Sequence, residues 1–290
     1  MPAGAGPRGG GGWSPVDDPA RARVWLSGLG VRDPERGYRD LADVARLGLS
    51  DATASAFLEQ LGRLLPRCPD AGMALTNIER YLAAGEDPDA AARSLLESPR
   101  TAEVAVQLFS TSQYFSDLVI QKPWLLGWLR AGGDRPDAGK IIDDLWDELR
   151  EAGSDDDEAR LVIRRCRRRE LLRIGYNDIV REMPLEIVTR DLSHLADACV
   201  EAAYRLARAR ADERHGSPSG VGDGQPARFV VLALGKLGGE ELNYSSDIDL
   251  IFLYDVEGQT SGPRPVSNAE YFARLGGELV RLLSDHTPLG

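Results

Sequence analysis

Cysteine, histidine and long apolar runs are all scarce in this chain. Cys68, Cys166 and Cys199 are its three cysteines, and they have no close spacing. This excludes a disulfide framework or a paired-cysteine metal motif. Each lies in or beside a helical pattern, where a small buried apolar group is the simpler reading and a reducing compartment is implied. His194, His215 and His286 have no partners at a recognisable spacing, which argues against histidine-based chemistry. No run approaches the roughly 20 apolar residues needed to cross a bilayer. Residues 1–12 are rich in glycine and lack the apolar centre of a secretion signal, so a cytoplasmic protein with no membrane partner is expected. Cations are outnumbered too. A net charge of −11 argues against a nonspecific nucleic-acid surface.

What remains is a globular composition, 42% hydrophobic and 28% charged over 290 residues, enough for a substantial core. Residues 1–18 are expected to form a disordered tail, because glycine-rich sequence cannot offset its ordering entropy. Residues 19–210 read as almost wholly helical. Asp51–Leu65 carries an apolar stripe with Asp51 as its cap, and Pro88 and Pro99 mark helix boundaries. Further helices are expected at Pro123, at Ile141–Leu149, from Ser154 to about Gly175, and over Leu185–Arg210. Ser154 and the acids after it suit a helix start rather than a metal site. Residues 211–227, with four glycines and two prolines, read as an irregular linker. Residues 228–290 change character: apolar runs at Phe229–Leu234 and Ile248–Tyr254 read as strands, and Ser267–Ser284 reads as a helix. The fold class is therefore α+β, a large helical region followed by a small α/β region.

The richest stretch joins those two strands. Gly235-Lys236-Leu237-Gly238-Gly239 leaves the first, and Asp247-Ile248-Asp249 opens the second. Carboxylates at i and i+2 on a strand share a face, roughly 6–7 Å apart. That suits two acids holding a divalent ion, since Mg²⁺ takes one or two carboxylates plus substrate phosphates. Glycines nearby let backbone amides approach a phosphate. The pattern points to nucleotidyl transfer, with Asp247 and Asp249 as metal ligands and catalytic acids.

Residues 235–252 closely resemble the signature of the bifunctional glutamine synthetase adenylyltransferase/adenylyl-removing enzymes, members of the nucleotidyltransferase superfamily with a polymerase-β-like fold. Gly235-Lys236 stands where the wider superfamily has Gly-Ser. Arg167–Ile174 and the stretch from Ser112-Gln113-Tyr114-Phe115 to Lys122–Leu126 resemble earlier helical motifs of the same family. The resemblance implies Mg²⁺ or Mn²⁺ as cofactor, nucleotide (ATP or ADP) and phosphate as small substrates, glutamine synthetase as protein substrate, and a PII-type protein as regulator. It also implies two related halves, one removing AMP from a modified tyrosine by phosphorolysis and the other attaching it from ATP. Two hundred helical residues before the motif point to the removing half. Alternatives are the adenylylating activity, another protein nucleotidyltransferase such as a uridylyltransferase, or an inactive helical interaction module.

For the other polar residues two readings stay open. Lys236, Gly235, Gly238 and Gly239 are expected to shape a phosphate pocket. Ser245 and Ser246 bond either a phosphate or the turn. Arg168 and Arg169 hold phosphate, or else belong to a solvated helix in which Glu170 pairs with Arg167 or Arg173. Tyr244 reads as a packing group. The superfamily's third carboxylate is expected from a strand beyond residues 285–290; Asp255 has the right parity but sits at a loop entrance. The chain thus reads as the front portion of a longer, incomplete nucleotidyltransferase domain.

Overall fold

The structure is a computed structural model that describes residues 18–132, 138–153, 155–221 and 225–284. The expected tail, the Ser154 cap and the segment 285–290 with His286 lie outside the described residues, as does the middle of the expected linker. The chain divides into two compact units, Met1–Gly133 with Gly175–Glu182, and Asp134–Ile174 with Met183–Gly290.

The first unit is helical: α1 (Pro19–Gly28), α2 (Pro34–Arg46), α3 (Asp51–Leu64), α4 (Ala71–Ala83), α5 (Pro88–Glu97), α6 (Pro99–Thr111), α7 (Gln113–Gln121) and α8 (Trp124–Gly132). Short polar residues start most of these helices. Asp33, Ser50, Asp70, Asp87, Ser98 and Ser112 each accept a hydrogen bond from a backbone N–H three residues on, filling an orphan donor. Ser50, not Asp51, caps α3. The core centres on α4 and α6, where Leu75, Ile78, Leu82, Leu108 and Phe109 are almost fully buried.

The family-like Ser112–Phe115 stretch has a structural role. Ser112 caps α7, and Gln113 joins a polar cluster in which buried Asn77 donates to the Phe109 carbonyl and to Ser116. The Phe115 ring packs on Gly175. A Cβ at Gly175 would lie 2.2 Å from Phe115 Cε2, far inside van der Waals contact. Gly175→Leu should therefore lower stability by about 3 kcal/mol, because overpacking a filled site forces backbone shifts. A chemical melt unchanged by that substitution would contradict the packing.

The second unit holds α9 (Ala138–Ala152), most of α10 (Asp156–Ile179), α11 (Leu185–His215), β1 (Phe229–Leu234), a single helical turn α12 (Gly235–Gly238), β2 (Asp249–Tyr254) and α13 (Asn268–Ser284). Asp155 accepts from the N–H groups of Asp157 and Glu158 and so starts α10. β1 and β2 pair antiparallel, Phe229 opposite Tyr254 and Leu234 opposite Asp249, the one sheet among the described residues. Phe229, Val231, Ala233, Leu250, Phe252 and Tyr254 face the helices. Phe229 stacks on Tyr204 of α11 and Phe272 of α13, with ring centroids 5.7 and 5.2 Å apart.

Two elements differ from their sequence reading. α11 continues to His215, five residues into the expected linker. Beyond it, Ser217 and Ser219 bond backbone to backbone with Ser261 and Gln259, and the Gly262 N–H donates to the His215 carbonyl at 2.8 Å. The glycines that break helix and strand periodicity in this stretch serve close backbone approach: a Cβ on Gly216 would sit 2.3 Å from Gly262 N. The helices and small sheet bear out the α+β class.

Candidate active site

Gly235 leaves β1 with φ at +58°, a conformation open to glycine at little cost, and begins the α12 turn. Gly238 then passes close under the strand: a Cβ there would lie 2.6 Å from the Ala233 carbonyl oxygen. These two positions fold the chain back over the end of β2. The Asp249 carboxylate stands directly above, its Oδ2 3.7 Å from where a Gly235 Cβ would be. A Cβ at position 235 would meet that carboxylate at ordinary contact distance, so the positive φ rather than lack of space favours glycine here.

Asp249 is the first residue of β2 and shares the outer sheet face with Val230, Leu232, Leu234, Ile251 and Leu253, all substantially exposed. The sequence placed both acids on one apolar strand, where burial would make their charge costly. In the structure only Asp249 is in the strand, Asp247 lies two residues before it in the loop, and both are exposed. Solvent access removes the burial argument and leaves both carboxylates available to a ligand. Among the described residues neither forms an ion pair.

The loop between Gly239 and Asp249 is pinned to α11. Leu242 is buried and its N–H donates to Ser193 Oγ at 3.2 Å. Glu240, in the left-handed region at φ +54°, pairs with Arg190 at 3.6 Å. Asn243 Oδ1 accepts from Ser246 Oγ at 2.6 Å and from the Ser245 N–H at 3.3 Å. Of the two sequence readings for these serines, the turn-bonding one is what the structure displays. Ser193→Ala would leave the buried Leu242 N–H without its acceptor and should cost about 1–3 kcal/mol. The check is amide exchange at Leu242, which should accelerate in the variant.

Gly235, Lys236, Gly238 and Gly239 are exposed around this turn, and Lys236 has no carboxylate partner among the described residues. Asp255 is committed elsewhere. It accepts from the Arg228 backbone and guanidinium at 2.9 Å each, and those bonds hold its carboxyl below the usual range. It sits at the opposite end of β2 from Asp249.

A cavity of about 570 Å³ lies within the second unit, between α10, α11, α13 and the inner sheet face. Its wall includes Ser246 and Asp247 of the loop, Cys199 of α11, and Arg164 and Arg167 of α10. Arg168 and Arg169, the arginines singled out from sequence, are absent from the wall. Arg169 turns to Glu148 of α9 at 3.2 Å. Spacing finds the arginines that do line it: 164, 167 and 171 follow the i, i+3, i+7 rule of one helical face, and all three are in the wall. Arg164 donates to the Leu283 carbonyl at 2.6 Å. Tyr244, read as packing, is instead 37% exposed at the cavity's rim. Burial pushes the Cys199 thiol up to about 11, so it is no nucleophile at neutral pH. His215 bonds the Arg264 carbonyl and Arg274, away from the loop.

The glutamate-ammonia ligase adenylyltransferase family matches residues 102–290. That span covers both units' motifs and the whole of the Gly235–Asp249 turn. The chain belongs to this family. Among adenylyltransferases named as bifunctional glutamine synthetase adenylyltransferase/adenylyl-removing enzymes, that of Pseudomonas aeruginosa is 38% identical over 226 residues, 76% of this chain and 22% of the relative. The Thioalkalivibrio sulfidiphilus enzyme is 38% identical over 193 residues, 65% of this chain and 20% of the relative. For Pseudomonas putida the figures are 40% over 185 residues, 62% and 19%. The chain thus spans about a fifth of the length of these adenylyltransferase relatives. Among the described residues of this family member, no helix is long and apolar enough to cross a membrane.

Proposed function

We propose that this chain carries the nucleotidyl-transfer centre of a protein that regulates glutamine synthetase, and that the centre works in the adenylyl-removing direction. The observation behind this reading is the Asp249 carboxylate held over the Gly235 turn, on a chain of this family. A polymerase-β-like nucleotidyltransferase fold accounts for the strand, glycine turn and acid-bearing strand in that order.

The donor set fits a divalent ion. Asp247 and Asp249 are hard oxygen ligands, exposed and unpaired among the described residues. No cluster of three or more His, Cys, Asp or Glu residues occurs among the described residues, and a divalent ion held by two carboxylates takes substrate phosphate oxygens as well. When bound, Mg²⁺ or Mn²⁺ neutralises charge on the phosphoryl oxygens. Gly235, Lys236, Gly238 and Gly239 bring backbone N–H groups and one ammonium to the incoming phosphate. Ser245 and Ser246 hold the loop through Asn243 and thereby set the position of Asp247. Arg168 and Arg169 are left a supporting role on α10.

In this reading phosphate attacks the phosphorus of the AMP-tyrosine ester, the P–O bond to tyrosine breaks, and the products are ADP and the free tyrosine hydroxyl. The test supplies the full-length protein with adenylylated glutamine synthetase. Phosphate-dependent ADP release supports removal. Consumption of ATP with AMP attached to unmodified glutamine synthetase would assign the opposite direction, and a preference for UTP would assign a uridylyltransferase. A PII-type protein is the proposed regulator and would shift the rate in the same assay.

A further inference from the structure

We infer that Ser193 of α11 and Asn243 of the loop are positioning residues, two ends of a hydrogen-bonded strut that fixes Asp247 relative to Asp249. This rests on the metal reading of the two acids and extends it to the residues that hold them in place.

The acids are located by different means. Asp249 has a place in the sheet register, opposite Leu234, so the β1–β2 ladder fixes it. Asp247 lies before the strand and has no ladder position. Its location depends on the loop that leaves Gly239. Two carboxylates share an ion only when their separation is set, and an unanchored loop would lose binding free energy to its own ordering.

The strut begins inside α11. Ser193 Oγ donates to the Thr189 carbonyl one turn back at 2.9 Å, which fixes the hydroxyl's direction and leaves its lone pairs outward. The Leu242 N–H donates to that oxygen at 3.2 Å. Ser193 is 0% exposed and Leu242 6%, so bulk water cannot take over the bond. The Leu242 side chain sets how deep the loop sits, and the Ser193 bond sets its register.

Asn243 carries that register forward. Its Oδ1 accepts from Ser246 Oγ at 2.6 Å and from the Ser245 N–H at 3.3 Å, while its carbonyl accepts from the Ser246 N–H at 3.2 Å. The turn is thereby closed on the residue before Asp247. The other printed tie to α11, Arg190 with Glu240 at 3.6 Å, joins side chains 52% and 59% exposed and holds weakly. The buried serine is the stronger anchor.

Mn²⁺ alone is the probe, titrated into the 290-residue chain and followed by electron paramagnetic resonance. Ser193→Ala and Asn243→Ala should each weaken Mn²⁺ about 10-fold, the lower end of the loss seen when groups supporting a metal ligand are removed. Because both belong to one strut, the double variant should lose little more than either alone. Two controls separate positioning from general weakening of the fold. Glu170→Gln is expected to destabilise at least as much as Ser193→Ala yet should leave Mn²⁺ affinity unchanged, and Arg190→Ala should not weaken it. Circular dichroism and a denaturant midpoint confirm that every variant is folded in the assay. Asp249-dependent Mn²⁺ binding that ignores both Ser193→Ala and Asn243→Ala would overturn the strut and leave the metal reading standing. So would an equal loss in Glu170→Gln, or losses that multiply in the double variant. Mn²⁺ binding that is absent, or indifferent to Asp249→Asn, would overturn the metal reading and the strut together.

Discussion

Asp249→Asn in the full-length protein should reduce AMP removal at least about 100-fold, because loss of even an outer-shell partner of a metal ligand costs 10–100-fold. The substitution is nearly isosteric and falls on an exposed position, so the fold should persist. Its carboxylate is the group placed over Gly235, and an amide there keeps the shape while losing the charge that attracts a hard cation. Circular dichroism and a denaturant midpoint matching wild type, with turnover lost, is the expected pair of results. Turnover within a few-fold of wild type would remove Asp249 from the chemistry. The companion Asp247→Asn should act in the same direction, since both acids are assigned to the ion.

Glu170→Gln should lower stability by about 3 kcal/mol, because it breaks a buried pair and leaves Arg173 with only its longer Asp191 contact. Glu170 and Arg173 are 5% and 2% exposed, and the Arg173 Nε donates to Glu170 Oε2 at 2.7 Å. Asp191 of α11 approaches the same guanidinium at 3.6 Å, too long for a strong hydrogen bond, so it cannot replace Glu170 alone. Both partners lie on α10, and the Asp191 contact is what links this guanidinium to α11. An exposed ion pair on the same helix, Arg165 with Glu158, is the control: Arg165→Ala should cost less than about 1 kcal/mol. Urea melts of both variants decide it through the midpoint, with the slope unchanged. Equal shifts would mean that burial of Glu170 carries no special weight.

Much of the architecture was legible because it rests on local rules. β1 begins and ends where its apolar run does, and Pro88 and Pro99 mark helix boundaries because proline acts within one turn. Cys166 and Cys199 are buried, as their helical positions implied, while Cys68 is half-buried. Glu170 paired with Arg173, one of its two candidate neighbours at helical spacing.

What was missed depends on contacts between distant segments. Residues 211–227 looked irregular because four glycines carry no periodicity, yet His215, Ser217 and Ser219 are held by a loop some 40 residues later. That Arg164 and Arg167, and not Arg168 and Arg169, line the cavity depends on which face of α10 borders it, and six arginines in ten residues blur that face. Asp249's exposure was hidden too. An apolar strand reads as buried on both faces, whereas this sheet presents Val230, Leu232, Ile251 and Leu253 on its outer side.

The most direct measurement is isotope transfer from labelled inorganic phosphate during removal of AMP from glutamine synthetase by the full-length protein. A divalent-ion-dependent appearance of label in the β-position of ADP, lost with Asp249→Asn, is the predicted result. Release of unlabelled AMP, or labelled ADP formed equally well in chelator or by the Asn variant, would contradict a metal held by these acids over the glycine turn.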